Sequence, residues 1–174
     1  MDALTHAPSA KELAALPVRE TLQKIRGMRD ASTRRAVTRD THALLLVQWR
    51  QHQNWGGFGM ARHLVEDVHL PFRRGFERVR ETRDERSFAS LNSSLHHHHS
   101  LEDRAFFPQM RRQHPDWVNE FDILEEDHRD LVRLERSIDK GQVDSIPEFV
   151  DMLLDHLNRE EMITIPLLLE SGGM

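Results

Sequence analysis

The sequence contains no cysteine and no tyrosine among its 174 residues. The lack of cysteine excludes disulfide bonds, thiolate nucleophiles and iron–sulfur clusters held by thiolates, and the lack of tyrosine excludes chemistry through a tyrosyl radical. A cysteine-free chain fits a reducing compartment. Residues 1–20 have no continuous apolar segment of the kind that a secretory signal contains. We therefore expect a cytoplasmic protein.

Long apolar runs and excess positive charge are missing as well. No segment approaches the roughly 18 consecutive apolar residues that a membrane-spanning helix needs. The net charge is −5 with the histidines neutral, so nothing attracts the chain as a whole to nucleic acid or to anionic lipid. We expect no membrane and no nucleic acid among its partners.

Apolar residues recur at helical spacing and predict an all-α fold. The sequence predicts a kink at Pro71, just past His69, an N-cap at Asp116, and a left-handed helix end at Gly141. A capping box, Ser145 with Glu148, predicts the start of the last helix. Short connections favour an antiparallel up-down-up-down four-helix bundle. Its predicted helices cover residues 60–83, 86–113, 117–139 and 146–169.

Three segments of different composition predict the domain organisation. Residues 1–59 read as a tail and a helical extension, with helix in two pieces between 18 and 53 and a glycine-rich border at 54–59. Residues 60–170 read as the bundle, and residues 171–174 as a disordered tail. The extension is a candidate surface for a homodimer.

Histidine is the abundant residue, with 12 copies, and four of them form a repeated pattern. His98 precedes Glu102 by four positions, and His156 precedes Glu160 by the same spacing. A lone histidine, His69 or His128, comes before each copy at nearly the same distance. Residues four apart lie on one face of a helix, about 6 Å apart along its axis.

This pattern predicts a metal pair inside the bundle. Side chains from four packed helices can converge on one volume, and glutamates buried there need a cation or another partner. Two divalent ions neutralise both carboxylates and retain positive charge for a bridging oxide or hydroxide. Mixed imidazole and carboxylate ligation favours iron, with zinc or manganese less expected.

The motifs resemble those of the hemerythrin-like (HHE cation-binding) family. The resemblance implies an antiparallel four-helix bundle around a non-haem di-iron centre, Fe2+ or Fe3+, with a bridging oxo or hydroxo group. It rests on four stretches in order: Val68–Arg74, Leu95–Asp103 followed by Phe107-Pro108, Glu125–His128, and His156–Glu161 with Pro166.

The resemblance also implies the ligands. In it Glu102 and Glu160 bridge the irons, His69 and His98 bind one iron, and His128 and His156 bind the other. The chain departs from invertebrate hemerythrins at the third helix, which carries two histidines there. Here Leu124 and Val132 flank the single histidine, so one iron lacks a ligand.

Several residues remain alternatives or supporting candidates. Glu125 is a candidate for the missing ligand, Glu161 competes with Glu160, and His63 competes with His69. Neighbouring residues on a helix are about 100° apart, so His98 and its neighbours cannot all face inward. We expect His96 and His97 to be supporting or exposed, and His99 to support the site. The remaining histidines are expected to be structural or at the surface, and His42→Ala is expected to alter neither metal content nor stability.

Three functions are compatible with such a site. The first is binding of O2 or a related small molecule for storage, delivery or sensing. The second is a di-iron oxidoreductase that acts on peroxide, O2 or nitric oxide. The third is an iron-responsive regulatory or iron-storage module. A structural zinc site is the simplest alternative, and whether the protein is an enzyme stays open.

Overall fold

The computed structural model describes residues 7–56 and 59–171, and within them it contains helices and no strand. The predicted all-α class is therefore confirmed for this part of the chain. No helix among these residues is long and apolar enough to cross a membrane. Parts of the predicted glycine-rich border (57–58) and of the predicted C-terminal tail (172–174) lie outside the described residues. The predicted domain borders stay predictions.

The chain divides into two compact units. The first unit contains the residues up to Val65 together with those from Leu157 onward, and the second contains Glu66–His156. The first π-helix and the last α-helix run through the two boundaries.

Among the described residues the first unit begins with three α-helices. The second and third of them lie between residues 18 and 53, where the sequence predicts helix in two pieces. Ser9 and Glu12 form a reciprocal capping box at the start of the first helix, and Asp30 accepts a 2.6 Å hydrogen bond from the Thr33 amide at the start of the third. These helices are α1 (Ala10–Ala14), α2 (Val18–Arg26) and α3 (Ala31–Arg50).

Six further α-helices follow within residues 59–171. They are α4 (Met60–Arg62), α5 (Leu70–Thr82), α6 (Glu85–Leu101), α7 (Phe107–Gln113), α8 (Val118–Asp139) and α9 (Ile146–Glu170). A first π-helix (His63–His69) separates α4 from α5, and a second (Glu102–Phe106) separates α6 from α7.

Each π-helix lies just before a proline, where the sequence predicts a continuous helix or a kink. Pro71 and Pro108 both fall in the first turn of the following α-helix. Proline has no N–H, and its ring clashes with the carbonyl four residues earlier. In the second π-helix the Phe107 amide donates instead to the Glu102 carbonyl, five residues back. The wider helix thus places His69 at the end of the first π-helix and Glu102 at the start of the second.

Most other helix limits agree with the prediction. Gly141 has φ +87° and ends α8 as expected, and α9 begins at Ile146. The predicted N-cap at Asp116 is wrong. Pro115–Trp117 form a 3-10 turn, in which the Trp117 amide bonds to the His114 carbonyl at 2.9 Å, and this turn moves the start of α8 to Val118.

Aromatic rings from three helices pack against one another in the core of the second unit. Phe149 of α9 lies 5.7 Å from Phe76 of α5 and 5.0 Å from Phe88 of α6, measured between ring centroids. Rings also contact two histidines: Phe72 lies 5.6 Å from His98, and Phe107 lies 5.7 Å from His128. The aromatic core and the histidines are therefore parts of one packed interior.

We predict that Phe76→Ala lowers the free energy of unfolding by about 3–5 kcal/mol, because the ring is fully buried and its removal leaves a cavity. Val47→Ala is the control, since Val47 is 55% exposed, and its effect should stay within about 0.5 kcal/mol. Urea denaturation followed by circular dichroism measures both. Equal midpoints for the two variants would contradict the assigned core.

Candidate metal centre

The first histidine pair consists of His69 and His98. Their Nε2 atoms are 3.3 Å apart, and the Nε2 atom of His98 is 3.0 Å from Oε1 of Glu102. His69, His98 and Glu102 each offer one ligand atom, and these atoms lie within 4.8 Å of one another. His69 is fully buried, whereas its rival His63 is exposed. The structure therefore favours His69 over His63.

The second histidine pair consists of His128 on α8 and His156 on α9. Their Nε2 atoms are 3.1 Å apart, and both side chains are buried. Each Nδ1 atom contacts a carboxylate: Asp103 at 2.8 Å from His128, and Asp127 at 3.1 Å from His156. An ionised carboxylate only accepts hydrogen bonds, so each Nδ1–H donates and each Nε2 keeps its lone pair.

The spacing of these lone pairs fits a bound cation. In the second pair the two Nε2 lone pairs face each other at 3.1 Å and repel unless a proton or a metal ion lies between them. Two imidazoles at right angles on one ion, each about 2.1 Å from it, have nitrogens about 3 Å apart. The 3.1 Å and 3.3 Å separations therefore suit adjacent ligands of one ion in each pair.

Glu102 connects the two pairs. Its Oε1 atom is 3.0 Å from Nε2 of His98, and its Oε2 atom is 3.5 Å from Nε2 of His128. The side chain is only 3% exposed. A carboxylate whose two oxygens face two different sets of imidazoles has the geometry of a ligand that bridges two ions.

Three residues of this centre go beyond the sequence-predicted ligands. His99 offers a ligand atom within 4.8 Å of those of His128 and His156, although the sequence suggests only a supporting role. For Asp103 and Asp127 the sequence predicts no role in the metal centre. The available signal was their position, one residue after Glu102 and one residue before His128.

The imidazoles of His98 and His99 are held in the neutral form that binds metal. Burial, and then repulsion by charge on His69 and His128, lowers the pKa of His98 to about 3. Burial, with repulsion from His128 and His156, holds the pKa of His99 well below 6.5. Metal binding at neutral pH therefore has no proton to displace from either ring.

Three glutamates, Glu160, Glu161 and Glu125, are the remaining candidate ligands from the sequence. Glu160 is fully buried, one turn after His156 in α9. Glu161 is also fully buried, and it lies 2.5 Å from Nε2 of His42, so it is engaged within the first unit. Glu125 accepts a 2.6 Å hydrogen bond from Arg111 and belongs to neither ligand group.

The other histidines of the run on α6 are at the surface, as the helical geometry predicts. His96 and His97 are exposed, and His96 lies 2.6 Å from Glu135.

A family model of the hemerythrin HHE cation-binding domain matches residues 60–168, well over half of the chain. The chain belongs to this family. The resemblance noted in the sequence is thereby confirmed, and the HHE domain contains every predicted ligand. Neither the curated proteins nor the solved structures include a significant match.

His42→Ala should lower the free energy of unfolding of this HHE protein by about 1–3 kcal/mol, because it removes a hydrogen-bond partner of a fully buried carboxylate. This replaces the neutral outcome expected from the sequence. His97→Ala is the matched control, since His97 is exposed. Urea denaturation of both variants measures the difference, and identical stabilities would rule out a structural role for the His42–Glu161 pair.

The metal-free HHE protein should lose stability as the pH falls from 7.5 to 5. The folded-state pKa of His98 is about 3, while the unfolded chain takes up a proton near 6.5. The contribution is complete above pH 6.5 and declines below it, by up to about 1.4 kcal/mol per pH unit for each such imidazole. Urea midpoints across this range test the slope, which His98→Gln should reduce. A pH-independent midpoint would contradict the prediction.

Proposed function

We propose that this HHE domain holds two iron ions and reversibly binds O2 or a related small molecule, such as peroxide or nitric oxide, for storage, delivery or sensing. The observation that carries the proposal is the position of Glu102, whose oxygens face one histidine of each pair at 3.0 and 3.5 Å. A site for a single ion does not need two such pairs joined by one carboxylate.

We assign His69 and His98 to one iron, and His128 and His156 to the other. Glu102 would bridge the ions, and we propose Glu160 as the second bridge. Its support is its complete burial and its place four residues after His156 in the same helix, since a buried carboxylate needs a cation or another partner.

The four long helical segments from residue 60 onward would form the antiparallel bundle expected of the family. Short connections between them, at 83–84, 114–117 and 140–145, support that arrangement.

The residues around the proposed ligands orient the imidazoles and supply apolar surroundings. Asp103 and Asp127 hold the Nδ1–H groups of His128 and His156, which fixes their tautomer and raises the basicity of each Nε2 atom. Leu124, four residues before His128 in α8, is a buried apolar side chain. Bound iron would supply electrons and open coordination positions to the small ligand. Imidazole with carboxylate suits iron better than manganese or zinc.

A small cleft lies beside His99 and His128. It has a volume of about 10 Å³, which is room for roughly one water molecule. His99, His128, Leu131 and Val132 contribute to its walls, and His96 lies at the same cleft. These dimensions favour O2, nitric oxide or peroxide over an organic substrate.

Location and assembly remain proposals. We expect a cytoplasmic protein because the sequence contains no cysteine. A homodimer through the N-terminal extension is supported by the exposed apolar residues Leu44 and Val47 on α3. Light scattering on the purified protein tests the dimer, and a strictly monomeric mass would exclude it.

Metal analysis of protein produced in iron-rich medium should give two iron ions per chain. Glu102→Gln keeps the size of the side chain but removes its charge, so iron affinity should fall by at least about 10-fold. Glu85→Gln is the matched control, because Glu85 lies in the adjoining helix α6 and is exposed. Wild-type protein with zinc alone, or with no metal, would overturn the proposed centre.

Optical spectra separate binding from catalysis. A binding protein should change its iron-dependent absorption on exposure to air and should return to the starting spectrum under argon. Continuous consumption of peroxide, O2 or nitric oxide, without a reversible spectral change, would instead establish the oxidoreductase alternative. Metal-dependent association with a partner protein would favour the regulatory alternative.

A further inference from the structure

His98 and His99 are consecutive residues in the last turn of α6, yet they belong to different ligand groups. Consecutive side chains leave a helix about 100° apart. His98 lies with His69 and Glu102, whereas a ring nitrogen of His99 lies within 4.8 Å of those of His128 and His156. One helix therefore directs an imidazole to each histidine pair.

His99 also carries a buried atom that lacks a partner. The residue is 7% exposed, and its Nε2 atom has no hydrogen-bond partner among the described residues. Buried polar atoms in folded proteins are nearly always hydrogen bonded, so each exception needs an explanation. A metal ion bound by the imidazole would explain this one.

We propose that His99 is the third imidazole ligand of the ion held by His128 and His156. The assignment rests on the proposed di-iron function and completes its ligand set. Glu125 is the residue that the sequence suggests for the missing ligand, but it accepts a 2.6 Å hydrogen bond from Arg111 instead. With His99, the second ion has three imidazoles in addition to Glu102.

The ring of His99 must turn for this role. It is stacked on the ring of His128, with centroids 3.8 Å apart and planes inclined by 12°. An imidazole binds an ion in the plane of its ring, so an ion in the plane of one stacked ring lies far out of the plane of the other. Binding by both requires rotation of His99 about its Cβ–Cγ bond. The competing role is stacking alone, in which His99 only positions His128.

The substitution His99→Phe separates the two roles, because phenylalanine can stack on His128 but has no nitrogen. His97→Phe is the matched control, since His97 is the exposed neighbour on the same helix. Anaerobic titration with Fe2+ against a competing chelator gives the stoichiometry and both affinities. We expect two ions in the wild type and the control. In His99→Phe we expect one tight ion and a second bound at least about 10-fold more weakly.

The outcomes distinguish this inference from the proposed function. If the wild type and His99→Phe both bind two Fe2+ with equal affinities, the His99 assignment fails and the di-iron proposal stands. If the wild type binds fewer than two ions, the proposed function fails, and the three-imidazole position fails with it.

A second measurement uses the wild type alone. It therefore tests whether His99 is a ligand even if His99→Phe does not fold. Protein labelled with ¹⁵N-histidine is titrated with diamagnetic Zn2+ and followed by NMR. A ring-nitrogen resonance of His99 should shift in parallel with those of His128 and His156. Shifts at His128 and His156 that leave His99 unchanged would overturn the assignment.

Discussion

The structure depends on imidazole nitrogens and carboxylate oxygens that lie close together, with their lone pairs facing one another, in an interior with little access to water. His128 and His156 direct their Nε2 atoms at each other because both Nδ1 atoms are held by aspartates. Glu102 adds negative charge within 3.5 Å of this pair. Such an arrangement is unfavourable by itself and becomes favourable only with positive charge at its centre. Metal binding and folding should therefore be thermodynamically coupled.

Helix geometry places these atoms. The last residue of the first π-helix is His69, and the first residue of the second is Glu102, so in both helices a widened turn adjoins a proposed ligand. Within α6, the 100° step between His98 and His99 serves both histidine pairs from one helix. The rings of Phe76, Phe88 and Phe149 pack against one another and so hold α5, α6 and α9 together where these rings lie.

Much of this centre can be predicted from the sequence, because four-residue spacing on a helix is a geometric fact. His98 with Glu102 is such a pair, and Gly141 predicts its own left-handed turn. Other features carry no local signal. The His42–Glu161 pair joins residues 119 positions apart. Asp103 follows Glu102, but a carboxylate there can equally face solvent, and only the tertiary packing of α8 brings it to His128.

The second π-helix contains five residues, Glu102–Phe106, and this length has a consequence for insertions and deletions. Loss of one residue would join α6 and α7 in a regular helix, because five residues of a π-helix turn the chain about as far as four residues of an α-helix. Pro108 would then lie inside that helix, with its ring against a backbone carbonyl. Exchange of a side chain in this segment alters one contact, whereas loss of one residue changes the backbone at Glu102 and removes the wide turn that accommodates Pro108.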